Sequence, residues 1–413
     1  MKKFKHLFWA ILLIGIVSCS DETPSPSNED SVLTEDVTFQ LEGEIKSVGL
    51  KEHYQTIIKE ASAGNDEESE MWLAYAQAQL DSADLIEKEY INQAGANWDQ
   101  NADGSGNQNR HMGYEYATIR YKSIDHNGND VMLSSLVVWP FNNIIADPDA
   151  DHVIIGCHVT IGSNAERPSN YSNLDFTTDV GMLASCAMSL MPGVVYENLV
   201  IIPDYQGYGA THGEIHPYLT QDLTARQVID GVRAGIKFYT EHLKHKLEDN
   251  WTSLSAGYSQ GGAGAIRAVT EFANSDRYTT LFTCSAASRE IADALNWSYD
   301  PYKIHIPYFM VAGTGISDAG DGKDGGWVGV TPLVSLEENY LAMPDDIVRV
   351  MARRIGAEHE DMMACSDAYL TAWMLYRLYG DEQAAEVFVG ASAELRNNEL
   401  WQDVALYDAV ENK

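Results

Sequence analysis

Basic residues are scarce in this sequence. Its 413 residues include 27 lysines and arginines against 61 aspartates and glutamates, which gives a formal net charge of −34. Nucleic acids and anionic membrane surfaces would repel so acidic a protein, and we expect neither as a binding partner. The charge favours solubility outside the cell and gives no information about the fold.

Cysteine is also rare, and none of the five cysteines forms a CxxC pair. This argues against a zinc site and against a small disulfide scaffold. Four of them lie among small or apolar neighbours and are expected to be buried free thiols: Cys157, Cys186, Cys284 and Cys365. The fifth, Cys19, belongs to the N-terminal segment.

The N-terminal segment lacks an apolar run long enough to cross a membrane. Lysines precede an apolar stretch from Leu7 to Val17, a pattern typical of a secretory signal. The stretch leads into Ile-Val-Ser-Cys19, which resembles the lipobox of bacterial lipoproteins. Acylation of Cys19 after cleavage would hold the protein on a membrane. We predict a lipoprotein signal peptide over residues 1–18 and export to the bacterial outer membrane or cell surface.

Two segments separate this signal from the first strand pattern. Residues 19–30 are rich in Pro, Ser and Asn and are expected to form a flexible tether. Residues 31–98 repeat apolar residues at spacings of three and four, which predicts two or three helices. The sequence indicates no function for this N-terminal helical segment.

Strand patterns begin at Gly113. Residues 116–124 and 131–139 alternate in polarity around an Asn-Gly turn, which predicts a hairpin. Short apolar runs then alternate with helical patterns; the runs cover residues 153–159, 199–203, 254–258, 281–285 and 307–312. This alternation predicts an α/β domain over residues 113–413, with a mostly parallel sheet and helices on both faces.

A G-x-S-x-G motif, Gly257-Tyr-Ser259-Gln-Gly261, lies between an apolar strand pattern and an Ala/Gly-rich helical pattern. In this context the motif predicts a nucleophilic Ser259 on a tight strand-to-helix turn. The start of the helix directs backbone N–H groups at the serine, so Gln260 is a natural oxyanion donor. Thr160, in the loop after residues 153–159, is the predicted second donor.

A serine hydroxyl needs a base to take its proton. After a serine on a strand-to-helix turn of this kind, the acid follows first in the chain and the histidine second. Two histidines follow Ser259. His305 comes before the predicted strand 307–312, so no loop that could carry the acid lies between Ser259 and His305. By elimination the base is His359, which lies in a loop before a helical pattern.

The acid of such a site leaves the end of strand 307–312, where Asp318 lies in a glycine-rich loop. Asp321 and Asp324 belong to the same loop and remain alternatives.

Together these motifs resemble those of α/β-hydrolases of the secretory-lipase and dienelactone-hydrolase-like kind, including Bacteroidota lipoproteins. The resemblance covers about residues 116–403 and is carried by Ile201–Gly209, Gly257–Gly261, Gly313–Asp318 and Ala357–His359. It implies the α/β-hydrolase fold, with Ser259, Asp318 and His359 as nucleophile, acid and base. The spacer after Asp318 is longer than the usual turn, which keeps the other two aspartates open.

Two loops have some features of metal sites. Asp99 begins a calcium-like loop, but its twelfth position is Arg110, where a bidentate glutamate is required. His212 and His216 are four residues apart, but glycine and proline around them indicate a loop rather than a helix. We therefore predict neither a metal nor another cofactor.

The order serine, acid, histidine predicts a serine hydrolase that cleaves carboxylic esters, as an esterase or lipase does, on a small-molecule or acyl-bearing ester. An exported serine peptidase remains an alternative, because one fold hosts both reactions. A non-catalytic surface-binding lipoprotein is the third hypothesis.

Overall fold

The computed structural model describes residues 37–64, 70, 73–74, 76–77, 80–81, 112–142, 149–173, 196–218, 220–272, 278–294, 299–323 and 326–407. Cys19, Asp99, Cys186 and Asp324 lie outside these residues, and so do the predicted signal peptide and tether. Within the described ranges, no helix is both long enough and apolar enough to cross a membrane.

One ten-stranded sheet runs through the described part of the chain. Its strands are β1 (Phe39–Gly49), β2 (Met112–Ile124), β3 (Asp130–Asn142), β4 (Val153–Cys157), β5 (Leu199–Pro203), β6 (Ser253–Tyr258), β7 (Tyr278–Cys284), β8 (Tyr308–Gly313), β9 (Arg349–Arg354) and β10 (Trp401–Tyr407). They lie in the order β1-β2-β3-β5-β4-β6-β7-β8-β9-β10.

Neighbouring strands from β5 to β9 are parallel, whereas the strands outside them pair antiparallel. The exchange of β4 and β5 in an otherwise sequential series is the order of the α/β-hydrolase fold. The predicted fold class is therefore confirmed.

The central strands are buried on both faces, as their uninterrupted apolar runs require. Every residue of β4, β5, β6 and β8 is buried. Successive side chains of a strand point to opposite faces. Accordingly, Ile154 joins one hydrophobic core and its neighbour Ile155 joins the other. The sheet thus separates two cores.

Helices cover these cores. The described helices are α1 (Leu50–Ala61), α2 (Gln221–Lys237), α3 (Gln260–Phe272), α4 (Arg289–Ala294), α5 (Ile316–Ala319), α6 (Leu333–Ala342), α7 (Met362–Leu378), α8 (Glu382–Ala385) and α9 (Glu394–Asn397). The apolar faces of α2 and α3 pack on the core that contains Ile155, and α7 packs on the other with Trp373.

The N-terminal helical prediction is wrong for Phe39–Gly49. These residues form β1, which pairs antiparallel with β2, so the sheet begins before Gly113. Phe39 and Leu41 turn inward while Gln40 and Glu42 face solvent, which is the two-residue period of an edge strand. Only α1 and a few later positions of residues 31–98 are helical in the described part.

Candidate active site

Ser259 lies on the sharp turn between β6 and α3. Its backbone has φ 54°, in the left-handed region, and its N–H donates to the Cys284 carbonyl at 3.0 Å. The flanking glycines permit this turn, because a side chain on Gly257 would meet the Gly261 carbonyl. A side chain on Gly261 would collide with the carbonyls of Cys157 and His158. Ser259 is 8% exposed, at the carboxyl edge of the parallel strands.

Asp318 and His359 are hydrogen-bonded to each other. Asp318 lies in α5, just after β8, and His359 lies between β9 and α7. The Nδ1–H of His359 donates to Oδ1 of Asp318 at 2.6 Å. Asp318 has no exposed surface, whereas the His359 side chain is 19% exposed. Because a carboxylate can only accept, this bond fixes the imidazole tautomer and leaves Nε2 available to another partner.

The second carboxylate oxygen of Asp318 accepts two further hydrogen bonds. The Gly313 N–H donates at 2.8 Å and the Ser285 hydroxyl at 2.5 Å. Ser285 is fully buried at the end of β7, with φ 46°. A buried carboxylate needs such donors to offset its desolvation. Our sequence reasoning missed Ser285, although its place at the end of a strand beside β8 was a usable signal.

Ser317 and Glu358 join the segment that bears Asp318 to the loop that bears His359. The Glu358 carboxylate accepts from the N–H and the hydroxyl of Ser317, and Ser317 Oγ accepts from the His359 N–H at 2.7 Å. The Gly315 N–H donates to the Ala357 carbonyl at 2.8 Å. The hydrogen bonds from Ser317 lower the pKa of Glu358 below its ordinary value. Sequence reasoning did not find this link.

Tyr258, the last residue of β6, connects this strand to His359. Its hydroxyl donates to the His359 carbonyl at 2.6 Å, and its ring stacks on the imidazole at 5.0 Å between centroids. Burial raises the pKa of Tyr258 far above its ordinary value, so the hydroxyl keeps its proton and remains a donor. Among the described contacts, no hydrogen bond joins the Ser259 hydroxyl to His359.

The two predicted oxyanion residues touch each other. Gln260 is the first residue of α3 and is buried, whereas Thr160 is exposed. The Thr160 hydroxyl donates to Oε1 of Gln260 at 3.3 Å. Since α3 begins at Gln260, the N-terminal N–H groups of that helix lie beside Ser259. This end of the sheet can therefore offer backbone donors to an anion.

Asp321, the alternative acid, does not contact His359. Its Oδ1 accepts from the Lys323 N–H at 3.0 Å within its own loop. A second histidine near the site, His158, is fully buried, and burial lowers its pKa to about 3. Burial therefore makes His158 a weaker proton acceptor than an ordinary histidine.

The remaining sequence hypotheses concern metals and thiols. His216 uses both ring nitrogens in hydrogen bonds, with Gln206 and Gln260. Across the described ranges there is no cluster of three or more histidine, cysteine, aspartate or glutamate residues that could hold a metal. Cys157 and Cys284 are buried free thiols, as predicted, and Cys365 is half-buried.

Comparison with known proteins yields only distant structural neighbours. No family model matches the chain. No curated protein matches it either. The ligand-bound rice cell wall degrading esterase LipA of Xanthomonas oryzae aligns with 66% of this chain and 92% of its own, at 13% identity and TM-score 0.44. A presumed hydrolase from Legionella pneumophila aligns over 71% and 95%, at 15% identity and TM-score 0.48. Similarity this low carries no argument about activity.

Proposed function

We propose that this protein is a serine hydrolase that cleaves carboxylic esters through an acyl-enzyme on Ser259. The observation that carries the proposal is the hydrogen bond from His359 to the buried Asp318. This pair lies at the same sheet edge as a serine held in left-handed backbone. A buried carboxylate that orients a histidine at the same sheet edge as a strained serine is consistent with the arrangement that activates a serine hydroxyl.

In the proposed reaction, Nε2 of His359 takes the proton of the Ser259 hydroxyl as its oxygen attacks the ester carbonyl. Asp318 keeps the imidazole in the required tautomer and stabilises the cation that forms. The developing oxyanion is held by the Gln260 N–H and a donor from the loop at Thr160. The imidazolium then protonates the departing alcohol, and water releases the acid from Ser259 by the same steps.

The test is covalent labelling combined with turnover. A fluorophosphonate should label wild-type protein at Ser259, and Ser259→Ala should abolish the label. The same variant should reduce ester turnover by several orders of magnitude. Removal of one oxygen should leave the unfolding temperature nearly unchanged. A matched panel of esters and peptides determines which type of bond is cleaved. If a peptide were cleaved in preference to every ester, the proposal of an esterase would give way to that of a serine peptidase.

We also propose that the enzyme is an exported lipoprotein anchored through Cys19. Support comes from the basic and apolar signal and the Ile-Val-Ser-Cys19 sequence. Cys19→Ala should remove the lipid label and release the protein from the membrane fraction. Unchanged fractionation with unchanged labelling would reject the anchor.

A further inference from the structure

His216 lies in the loop after β5 and reaches the first residue of α3. Its Nδ1 is 2.8 Å from the Gln206 carbonyl oxygen, and its Nε2 is 3.1 Å from Nε2 of Gln260. The ring is half-buried and packs against Tyr208 at 4.9 Å between centroids. A side chain on Gly207 would collide with the backbone of His216, so the loop closes tightly around this histidine.

The direction of every bond in this network follows from one carbonyl group. The Gln206 carbonyl can only accept, so in the neutral ring Nδ1 of His216 carries the proton. Nε2 of His216 is then an acceptor, and the Gln260 amide must present its NH₂ group to it. The Gln260 carbonyl oxygen is therefore turned toward Thr160, whose hydroxyl donates to it at 3.3 Å.

The network continues to the protein surface. The Thr160 hydroxyl lies 3.0 Å from the Tyr218 hydroxyl, which can donate to it. The chain of bonds thus joins the loops after β4 and β5 to the start of α3. Thr160 lies in the first of these loops and His216 in the second, and the start of α3 is the turn that bears Ser259 and Gln260.

We propose that His216 is a positioning residue for the oxyanion site, acting through the side chain of Gln260. This inference rests on the proposed serine-hydrolase function. The bond from His216 fixes the rotamer of Gln260, and the side-chain network thereby restrains the turn whose Gln260 N–H faces the developing oxyanion. Preorganised donors stabilise the transition state more than the bound substrate. Loss of His216 should therefore lower kcat and leave KM nearly unchanged.

Two substitutions separate this role from a merely structural one. An asparagine amide lies near the position of imidazole Nδ1, and a glutamine amide near that of Nε2. His216→Asn should keep the bond to Gln206 and lose the bond to Gln260, whereas His216→Gln should do the reverse. We expect kcat to fall about fivefold for His216→Asn, because this is the effect expected from the loss of one neutral hydrogen bond. His216→Gln should stay within about twofold of wild type.

The exposed His212 on the same loop provides the control, and His212→Asn should behave as wild type. In a Gln260→Ala background, which keeps the backbone N–H, His216→Asn should cause no further loss. Equal impairment of the two His216 variants, or full additivity with Gln260→Ala, would overturn the inference alone. Absence of fluorophosphonate labelling in wild-type protein would overturn both this inference and the proposed function.

Discussion

The candidate site consists of two halves that are built differently. The acid–base half comprises Ser285, Ser317, Asp318, Glu358 and His359, and the oxyanion half comprises Thr160, His216, Tyr218 and Gln260. In the first, a carboxylate with no exposed surface accepts three hydrogen bonds of 2.5 to 2.8 Å. In the second, side chains are joined at 3.0 to 3.3 Å, and Tyr218 is 52% exposed.

This contrast indicates which half of the site must be rigid. Loss of a partner from a buried charge leaves that charge uncompensated, whereas water can replace a partner at an exposed hydroxyl. The acid–base half must hold one imidazole orientation throughout the reaction. The oxyanion half combines backbone donors with adjustable side chains. Mutations that remove a partner of the buried Asp318 should therefore reduce activity far more than mutations in the oxyanion half.

The largest expected effect is at the acid. Asp318→Asn should lower kcat/KM about 10⁴-fold, because an amide cannot hold His359 in the required tautomer. Asp321→Asn is the matched control in the same loop and should retain most activity, since Asp321 binds only within its own loop. The measurement is kcat/KM on one soluble ester. A dead Asp321→Asn variant beside an active Asp318→Asn would reverse the assignment.

An intermediate effect is expected when each half loses one hydroxyl. Ser285→Ala leaves the buried Asp318 short of one donor and should reduce kcat roughly 10- to 100-fold. Thr160→Val removes an exposed hydroxyl and should reduce kcat no more than about threefold. Both rates are measured on the same ester. If Thr160→Val proved the more damaging variant, the comparison between the halves would be wrong.

The smallest effect concerns stability at acid pH. Because the pKa of Glu358 is lowered in the folded protein, its ionised carboxylate stabilises the fold above the ordinary value of 4.5. This contribution is lost as the pH falls through the folded-state pKa. Glu358→Gln should therefore unfold at a slightly lower temperature than wild type at pH 7. The difference between the two unfolding temperatures should close toward pH 3.

The neighbouring Glu360→Gln, at a side chain without a described hydrogen bond, is the control for this pH series and should show no such convergence. Unfolding temperatures across the series decide the question. A gap between Glu358→Gln and wild type that widens on acidification would contradict the proposed role of Glu358.

The sequence was sufficient to predict the parallel core, because long apolar runs are a local signal. The G-x-S-x-G context indicated Ser259, and chain order indicated His359. The acid stayed open among three aspartates of one loop, and only the structure shows that Asp318 is hydrogen-bonded to His359. The catalytic roles of these residues stay predictions.

Glu358 and His216 act through contacts between segments far apart in the chain, which no local pattern records. Ser285 had a local signal in its place at a strand end, but its bond to Asp318 also joins distant segments. β1 was misassigned because its strand character depends on pairing with β2.

The left-handed backbone of Ser259 has a consequence for how this position evolves. A residue with a Cβ atom in that region costs about 1–2 kcal/mol, and glycine would avoid most of this strain. Glycine also increases the conformational freedom of the unfolded chain, which lowers the free energy of unfolding by about 0.4–1 kcal/mol. Selection for folding alone would thus tolerate or favour glycine, whereas selection for the proposed nucleophilic role would retain serine. Copies of this gene released from that second constraint should lose Ser259 early while the fold persists.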